Sequence, residues 1–356
     1  MTRRCVALAI ATGSLALSGC VAAAVPVVAA GVMGKHELDR NGRHRGKAAS
    51  VDAAQESLTL ANAAQRAAFE AGPTNPGAPA QSTVPPSMQY LYGSGEAAAL
   101  SIQSYYQMAN FVIAKASDRA VGHPVSSVVL APGSTLDDPK FMPCGDKPLA
   151  IVLDIDETTL LNLGFEADQA SHGGAYDQHR WEDWERTGTD AVAPVPGVAD
   201  ALKTARIAHV TVIFNSNRSA ANAEATAAAI DKAGLGPAVH GDTLWLEGDT
   251  PGGSGKDQRR WAISARYCVI AMAGDQLGDF SDLFNVNDMA FAQRRAIVGA
   301  PHIATLWGEG WFMLPNPVYG TAIKGVFDEV FPIDKRWTDP ADTNAKPAPA
   351  TTGSSN

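Results

Sequence analysis

Short apolar runs alternate with amphipathic stretches through the middle of the chain. The apolar runs predict four buried strands, at 149–153, 209–214, 243–246 and 267–273. The amphipathic stretches between them predict helices at 197–206, 219–233 and 256–264. This alternation is typical of an α/β fold, with a parallel sheet and helices on both of its faces. Ligands bind outside the carboxyl ends of such strands, and three of these four strands have polar residues at that end.

The start of the chain has the pattern of a targeting segment. A short basic segment precedes an apolar run at 6–17, and together they predict a signal peptide over 1–19. The tetrapeptide that ends at Cys20 resembles a bacterial lipobox, in which Cys20 would be lipidated and become the first mature residue. An ordinary signal peptide with an incidental cysteine and an uncleaved membrane anchor are the alternatives.

The pattern of apolar, polar and proline-rich stretches also predicts three further segments: a tether and linker, a main domain and a tail. Basic residues, an Ala-rich helical stretch and a run with five prolines predict a lipidated tether and linker over 20–88. A main domain is expected over 89–339. Its parts are a helical subdomain at 89–120, an insert at 160–195, a C-terminal part and a catalytic core at about 145–300. The Pro-, Ala-, Thr- and Ser-rich tail at 340–356 is predicted to be disordered.

Composition narrows the function classes. The 356 residues are 46% hydrophobic, which is enough for an α/β core and a smaller second element. Charged residues make up 18% of the chain and the net charge is −9, so we expect no nucleic-acid partner, because phosphate contacts along a nucleic acid need clustered Lys and Arg. A small phosphorylated substrate stays compatible, since one site needs only local positive charge.

Two cysteines remain in the main domain after Cys5 and Cys20 are set aside. Cys144 and Cys268 could pair in an oxidising compartment, or they could be two separate small core residues. The sequence slightly favours separate residues. Neither has the spacing of a zinc ligand, so no zinc site is expected.

The most informative polar cluster follows the strand at 149–153. Asp154 and Asp156 are two residues apart, and two carboxylates this close are costly unless a cation or a shared proton offsets them. Mg²⁺ fits because it prefers oxygen ligands. Asp275 follows another apolar strand and could complete the metal site, with Asp279 orienting a metal-bound water. These residues predict phosphoryl transfer, in which one carboxylate attacks phosphorus and the other exchanges protons with the leaving group and water.

At this point the sequence resembles the haloacid dehalogenase superfamily of phosphotransferases. Its four motifs match, in order, the following residues: Asp154, Asp156 and Thr158; Ser216; Lys256; Asp275 and Asp279. The resemblance implies that Asp154 is the nucleophile and a metal ligand. It also implies that Asp156 is the general acid/base, that its backbone carbonyl binds the metal, and that Asp275 is the third protein ligand.

The second and third motifs imply the phosphate-binding residues. Ser216 and Lys256 would hold the phosphoryl group, with Asn217 assisting. Ser216 could instead cap the helix that follows it. Lys256 could be a surface lysine, with one of the arginines at 259–260 in its place, but its position at a helix start favours anion binding.

A narrower resemblance is to the bacterial class C, or subclass IIIB, acid phosphatases, which are typically outer-membrane lipoproteins. It is carried by five features over 90–337: the helix that contains Tyr105 and Tyr106, the run at 153–158, the two-tryptophan segment 181–184, Ser216-Asn217-Arg218, and the Leu-Pro-Asn-Pro-Val-Tyr-Gly run at 314–320. Gln276 departs from that pattern, because Asn is usual after the Gly-Asp pair, and Asn215 departs where an apolar residue is common.

This resemblance implies a Rossmann-like fold with a smaller helical cap. It implies Mg²⁺-dependent hydrolysis of phosphomonoesters through an aspartyl-phosphate. The expected phosphomonoesters are nucleoside monophosphates and aromatic phosphates. Trp181 and Tyr319 are the candidates for stacking on the leaving group, while Trp184 is expected to pack the cap. The implied location is the cell envelope, where the lipid anchor would hold the protein on the outer membrane, facing the periplasm or the exterior. The resemblance is also compatible with a homodimer. A phosphotransferase of the same fold and an inactive lipid-anchored binding protein are the alternatives.

Overall fold

The computed structural model describes residues 84–339, apart from 174 and 287–288. The predictions for the signal peptide at 1–19, for lipidation of Cys20 and for the tail at 340–356 fall outside these residues. So does nearly all of the tether at 20–88. No helix in the described part of the chain has the length and apolarity that crossing a bilayer requires.

Seven strands lie in the described residues: β1 (Leu149–Leu153), β2 (Leu160–Leu161), β3 (Ala193–Pro194), β4 (Thr211–Ser219), β5 (Leu244–Glu247), β6 (Cys268–Gly274) and β7 (Trp311–Met313). The α-helices there are α1 (Pro86–Met88), α2 (Gly95–Ala120), α3 (Leu163–His172), α4 (Gln178–Thr187), α5 (Val198–Ile207), α6 (Ala223–Lys232), α7 (Asp257–Arg266), α8 (Phe291–Ile297), α9 (Pro301–Ala304) and α10 (Phe327–Val330). A π turn covers Gln89–Gly93, and 3₁₀ turns cover Ala220–Asn222, Leu277–Asp279, Asp282–Asn285, Thr321–Ile323 and Ile333–Lys335.

Five strands form one parallel sheet in the order β5-β4-β1-β6-β7. β1 is central, and all five of its residues are buried, as expected for a strand that helices cover on both faces. The antiparallel pair β2 and β3 encloses helices α3 and α4, so it marks the base of the insert at 160–195. These helices form a small cap beside the sheet's carboxyl edge.

The side chains of β1 alternate between two cores, because successive residues of a strand point to opposite faces. Ile151 and Leu153 join the larger core, with residues of α2 and α5. Ala150 and Val152 join a second core that contains Trp311 and Phe280. The helix α2 begins at Ser94, whose Oγ accepts from the backbone N–H of Ala97 at 3.1 Å. Its buried stripe packs against α5 and the sheet.

The close approach of α2 and α5 depends on Gly197, which precedes α5. Its φ of +92° lies in the left-handed region, and a Cβ there would stand 3.0 Å from the Ile102 Cα of α2. Any larger residue would therefore push apart the two helices that cover one face of β1.

The α/β fold expected from the sequence is confirmed, with some element bounds corrected. The strand at 149–153 is found as predicted, but β4 continues to Ser219 and so includes five residues that the polarity of the sequence assigned to a loop and helix. The strand continues because Asn215 aligns with Trp245 of β5 and Ser219 with Glu247, with a shift of register between these two pairs. The three-residue β7, which lies in the short apolar run at 311–314, was not among the predicted strands.

Cys144 and Cys268 form a disulfide, with their Cα atoms 4.6 Å apart. The slight preference for two separate core residues was therefore wrong. Cys268 is the first residue of β6, next to Leu149 at the start of β1, so the bond lies at the amino edge of the sheet. The two cysteines are 124 positions apart in the chain, which is why spacing gave no sign of the pair.

Candidate active site

Two aspartates meet at the carboxyl ends of neighbouring strands. Asp154 follows β1 and Asp275 follows β6, and Leu153 aligns with Ala273 in the parallel register. The backbone N–H of Asp154 donates to the Ala273 carbonyl at 3.0 Å, which continues the pairing into the site. The two acids that the sequence placed at separate strand ends are thereby brought side by side.

A third carboxylate and one lysine complete this cluster. Asp154, Asp275 and Asp279 each offer a carboxylate oxygen, and these three oxygens lie within 4.8 Å of one another. The Lys256 Nζ donates to Asp154 Oδ1, and to Asp279 Oδ1 at 2.6 Å. All four residues are buried. Three carboxylates against one ammonium leave two negative charges, which is the charge that a divalent cation would balance.

Burial and mutual repulsion act on these groups in the absence of a cation. Burial, and then the neighbouring Asp279, raise the pKa of Asp275 to about 7. Burial also raises the pKa of Asp154, an effect that Lys256 opposes. Burial lowers the pKa of Lys256, but the Asp154 and Asp279 carboxylates more than offset this and raise it, so the lysine stays charged. These directions are those of an acidic site short of positive charge.

Asp275 is held by hydrogen bonds from three segments. Thr158 Oγ1 donates to Asp275 Oδ1 at 2.9 Å. Asn316 Nδ2 and Gln276 Nε2 donate to Oδ2 at 2.8 and 3.0 Å. The Tyr105 hydroxyl of α2 donates to the Thr158 carbonyl at 2.5 Å. Gln276, the departure from the family pattern, therefore bonds directly to a predicted metal ligand.

The Asp156 carboxylate has a different environment from that of Asp154. Its Oδ1 accepts from Arg218 Nε at 2.9 Å, from Arg218 Nη2 at 2.7 Å and from Asn162 Nδ2 at 2.9 Å. Ser216 Oγ donates to its Oδ2 at 3.3 Å. Each of the two predicted catalytic aspartates is thus paired with its own cation, Lys256 for Asp154 and Arg218 for Asp156.

The predicted phosphate-binding residues line the same edge of the sheet. Ser216 is buried in β4, and its hydroxyl accepts from the Arg218 backbone N–H at 3.1 Å, so it does not cap α6. Asn217 is exposed, and its Oδ1 accepts from Arg259. Lys256 immediately precedes α7, as predicted, but its side chain contacts Asp154 rather than a surface.

The two arginines of α7 that could have replaced Lys256 bond to backbone carbonyls of neighbouring segments and to the side chains of Asn217, Asp257 and Asp282. Arg259 donates to the Ser216 carbonyl and to Gly255. Arg260 donates to the carbonyl oxygens of Gly278 and Asp279 at 3.1 and 2.9 Å. Both arginines are buried. They fix the loops that carry the site, and the alternative to Lys256 is not supported.

Comparison with known proteins identifies this arrangement. Residues 79–322 match the family model described as HAD superfamily, subfamily IIIB (acid phosphatase). The chain belongs to this family. It is an acid phosphatase, and the expected class of enzyme, a phosphomonoester hydrolase, is confirmed. No curated protein sequence matches the chain significantly.

The solved structures to which this phosphatase is similar include two of the class C acid phosphatase from Bacillus anthracis. One is 24% identical with a TM-score of 0.51, and it shows the fold. The other, which has tungstate bound, is 26% identical with a TM-score of 0.50. Each comparison covers 66% of this chain and 84% of the other chain.

Glu157 is a buried acid next to Asp156 to which the sequence assigned no role. Glu157 is 1% exposed and has a φ of +55°, a conformation that is strained for a residue with a side chain. Its carboxylate accepts from the hydroxyls of Tyr92 (3.2 Å) and Tyr319, and from the Asn162 backbone N–H (2.9 Å). Burial, and then the nearby Asp156, raise the pKa of Glu157 to about 8. The only signal in the sequence was its place beside Asp156.

The two stacking candidates lie next to the residues that surround Asp156. The Trp181 ring packs edge-on against Phe165 at 5.0 Å, and the Arg218 guanidinium lies 5.9 Å from its centroid. Tyr319 reaches the site through its hydrogen bond to Glu157. Trp184 donates from Nε1 to Asn162 Oδ1 at 3.3 Å and packs near Phe165, which agrees with its expected place in the cap.

Proposed function

We propose that this acid phosphatase is Mg²⁺-dependent and hydrolyses phosphomonoesters through an aspartyl-phosphate formed on Asp154. One observation carries the proposal: Asp154 and Asp156, two residues apart, have separate and different partners. Asp154 lies in the buried acidic cluster with Lys256, whereas Asp156 is 15% exposed and bonded to Arg218. Two carboxylates in different environments are suited to two roles, a nucleophile and a proton-exchanging group.

In the first step, an Asp154 oxygen attacks phosphorus while the bond to the leaving oxygen breaks. The electron pair of that bond goes to the leaving oxygen, which takes a proton from Asp156 and departs as an alcohol. Lys256 faces the nucleophile and stabilises the negative charge of the phosphoryl oxygens. Asp156 is left as a carboxylate, bonded to Arg218 and Asn162.

In the second step, water attacks the phosphorus of the aspartyl-phosphate. Asp156 takes the proton of that water, the bond from phosphorus to the Asp154 oxygen breaks, and phosphate leaves. Both aspartates are then in their starting states. The overall reaction consumes one water and yields an alcohol and inorganic phosphate.

The residues present fit a divalent metal ion. Asp154 and Asp275 would hold it with the backbone carbonyl of Asp156, and the clustering of Asp279 with the first two supports a role for it at the same ion, directly or through water. Bound there, Mg²⁺ would neutralise the phosphoryl oxygens during transfer. The similar Bacillus anthracis protein was solved with tungstate, an oxyanion that resembles phosphate, and this supports an oxyanion site here.

The proposed substrates are nucleoside monophosphates and aromatic phosphates. The support is the position of Trp181 and Tyr319, which contact Arg218 and Glu157 beside Asp156. Aromatic side chains at the acid/base side of the phosphate would stack on a planar leaving group. Turnover of 5′-AMP, 4-nitrophenyl phosphate and glycerol 2-phosphate compares such groups with a non-planar one. Equal kcat/KM for all three would contradict this preference.

The proposed location is the bacterial cell envelope, with the chain anchored by lipid on Cys20 to the outer membrane. The disulfide between Cys144 and Cys268 supports an oxidising compartment, where such bonds persist. Mass spectrometry of protein extracted from membranes tests the anchor. A diacylglyceryl group on the peptide that begins at Cys20 is expected, and Cys20→Ala should release the protein into the soluble fraction. An unlipidated peptide would contradict the anchor without affecting the enzyme's chemistry.

The chemistry is tested on protein purified from residue 21 onward. Hydrolysis of 4-nitrophenyl phosphate is expected with Mg²⁺, with loss in EDTA and recovery when Mg²⁺ is restored. Acid quenching during turnover of a ³²P-labelled monoester should trap label on the Asp154 peptide. Full activity in EDTA would remove the metal from the proposal. Turnover with no trapped label, also in a variant with slow dephosphorylation such as Asp156→Asn, would remove the aspartyl-phosphate.

A further inference from the structure

Asn162 connects the surroundings of Asp156 although no motif includes it. It directly precedes α3, at the start of the cap, and its exposure is 0%. Its Nδ2 donates to Asp156 Oδ1 at 2.9 Å and to Glu157 at 3.2 Å. Its Oδ1 accepts from Arg218 Nη2 at 2.8 Å and from Trp184 Nε1 at 3.3 Å.

These contacts permit one orientation of the Asn162 amide. Turning it over would place its NH₂ group against the N–H donors of Arg218 and Trp184, and its oxygen against the carboxylates of Asp156 and Glu157. Such an arrangement would leave buried donors facing donors and acceptors facing acceptors. The amide therefore stands as a fixed bridge between Arg218 and Asp156.

The two oxygens of Asp156 are bonded unequally as a result. Oδ1 accepts three N–H donors, two from Arg218 and one from Asn162. In the described part of the chain, the hydrogen bond at Oδ2 comes from Ser216, at 3.3 Å. A proton on Oδ1 would face three donors, so the proton that Asp156 exchanges with substrate belongs on Oδ2.

We propose that Asn162 is a positioning residue that fixes the Asp156 carboxylate, with Arg218, so that Oδ2 is its proton-exchanging oxygen. This inference rests on the proposed acid/base role of Asp156. Without the Asn162 amide, the ion pair between Arg218 and Asp156 remains. The hydrogen bonds by which Asn162 connects Arg218 and the Asp156 carboxylate are lost. The carboxyl group then rotates, and its proton is directed at the leaving oxygen only part of the time.

The leaving group supplies a readout that a purely structural role would not change. An alkoxide needs a proton as it leaves, whereas 4-nitrophenolate is stable enough to leave without one. General acid–base catalysis contributes about 10²–10⁴-fold, so we expect Asn162→Ala to lower kcat/KM for glycerol 2-phosphate by about 10–100-fold. For 4-nitrophenyl phosphate the same ratio should fall by less than about threefold.

A double-mutant cycle tests whether Asn162 acts through Asp156. In an Asp156→Asn background, Asn162→Ala is expected to cause no further loss with glycerol 2-phosphate, because the proton it positions is already absent. Asn222→Ala is the matched control. Asn222 also begins a helix and donates to a buried carboxylate, that of Glu185, at 2.9 Å, and its removal should affect both substrates alike.

The outcomes separate two failures. If Asp156→Asn leaves the difference between the two leaving groups unchanged, the acid/base role of Asp156 is wrong. If Asp156→Asn widens that difference but Asn162→Ala lowers kcat/KM for both substrates equally, or adds its full loss to that of Asp156→Asn, the positioning role is wrong. Asn162→Ser, which leaves space for a bridging water, gives the same comparison if the alanine variant does not fold.

Discussion

The two edges of the central sheet differ in the interactions that they contain and in how these affect stability. At the carboxyl edge, buried charges are gathered: Asp154, Asp275 and Asp279 lie together with Lys256. At the amino edge, an apolar strand start is tied to a preceding loop by the disulfide of Cys144 and Cys268. Buried like charges destabilise a fold, and a cross-link over a long loop stabilises it. Activity and stability should therefore respond to different edges of the same sheet.

The sharpest separation is expected from Asp154→Asn. Loss of the proposed nucleophile should lower kcat for 4-nitrophenyl phosphate by at least about 10⁴-fold. The thermal midpoint in EDTA should stay the same or rise, because one of three clustered negative charges is removed. Asp138→Asn is the matched control, since that aspartate is exposed and paired only at the surface with Lys140. Robust turnover by Asp154→Asn would rule out its assignment as nucleophile.

The opposite result is expected at the amino edge. Replacing both Cys144 and Cys268 with alanine opens a cross-link between residues 124 positions apart. The free energy of unfolding should fall by about 2–5 kcal/mol in denaturant titration, while kcat is unchanged. Dithiothreitol should reproduce this loss in the unmodified protein and have no effect on the variant. A fall in kcat at temperatures where the variant is fully folded would mean that the two edges are not independent.

The sequence was sufficient for the strand-end part of this site. Asp154 and Asp275 were found because each follows an apolar run, and parallel strands bring their carboxyl ends together. Lys256 was found through the resemblance to the family's third motif, which its place at a helix start supported. The guanidinium of Arg218 and the amide of Asn162, which hold Asp156, were not predicted from the sequence. The run at 216–218 contains Arg218 but indicates no role for it, and nothing in the sequence singles out Asn162, because the functions of both depend on contacts across the insert and the sheet.

The leaving-group region gives a smaller expected effect. Trp181→Ala should raise KM for 5′-AMP by about 2–10-fold and leave KM for glycerol 2-phosphate unchanged, as expected for loss of one aromatic contact. Trp337→Ala, at an exposed tryptophan, is the control. An equal rise in KM for both substrates would place Trp181 in packing of the cap against Phe165, and not at the substrate.

The smallest expected effect is the contribution of Glu157 to the pH dependence of stability. Its pKa of about 8 in the folded protein is above the usual value of 4.5, so the folded state keeps a proton that the unfolded state loses. Its stabilising contribution is therefore present at low pH and is lost as pH rises through about 8. In EDTA, the thermal midpoint should fall between about pH 5 and pH 9, and Glu157→Gln should reduce that fall. If the thermal midpoint of Glu157→Gln fell with pH as steeply as that of the unmodified protein, the raised pKa of Glu157 would be contradicted.

Hydrogen bonds from both ends of the domain hold Glu157 and Thr158, the residues that follow Asp156. The Tyr105 hydroxyl reaches the Thr158 carbonyl from 53 positions before it, and Tyr319 reaches Glu157 from 162 positions after it. Asn316, beside Tyr319, also supports Asp275. During synthesis, Asp154, the proposed nucleophile, therefore emerges long before the segment that completes its surroundings. We expect a growing chain to be inactive until residue 319 has folded back, so that phosphatase activity reports completion of the domain.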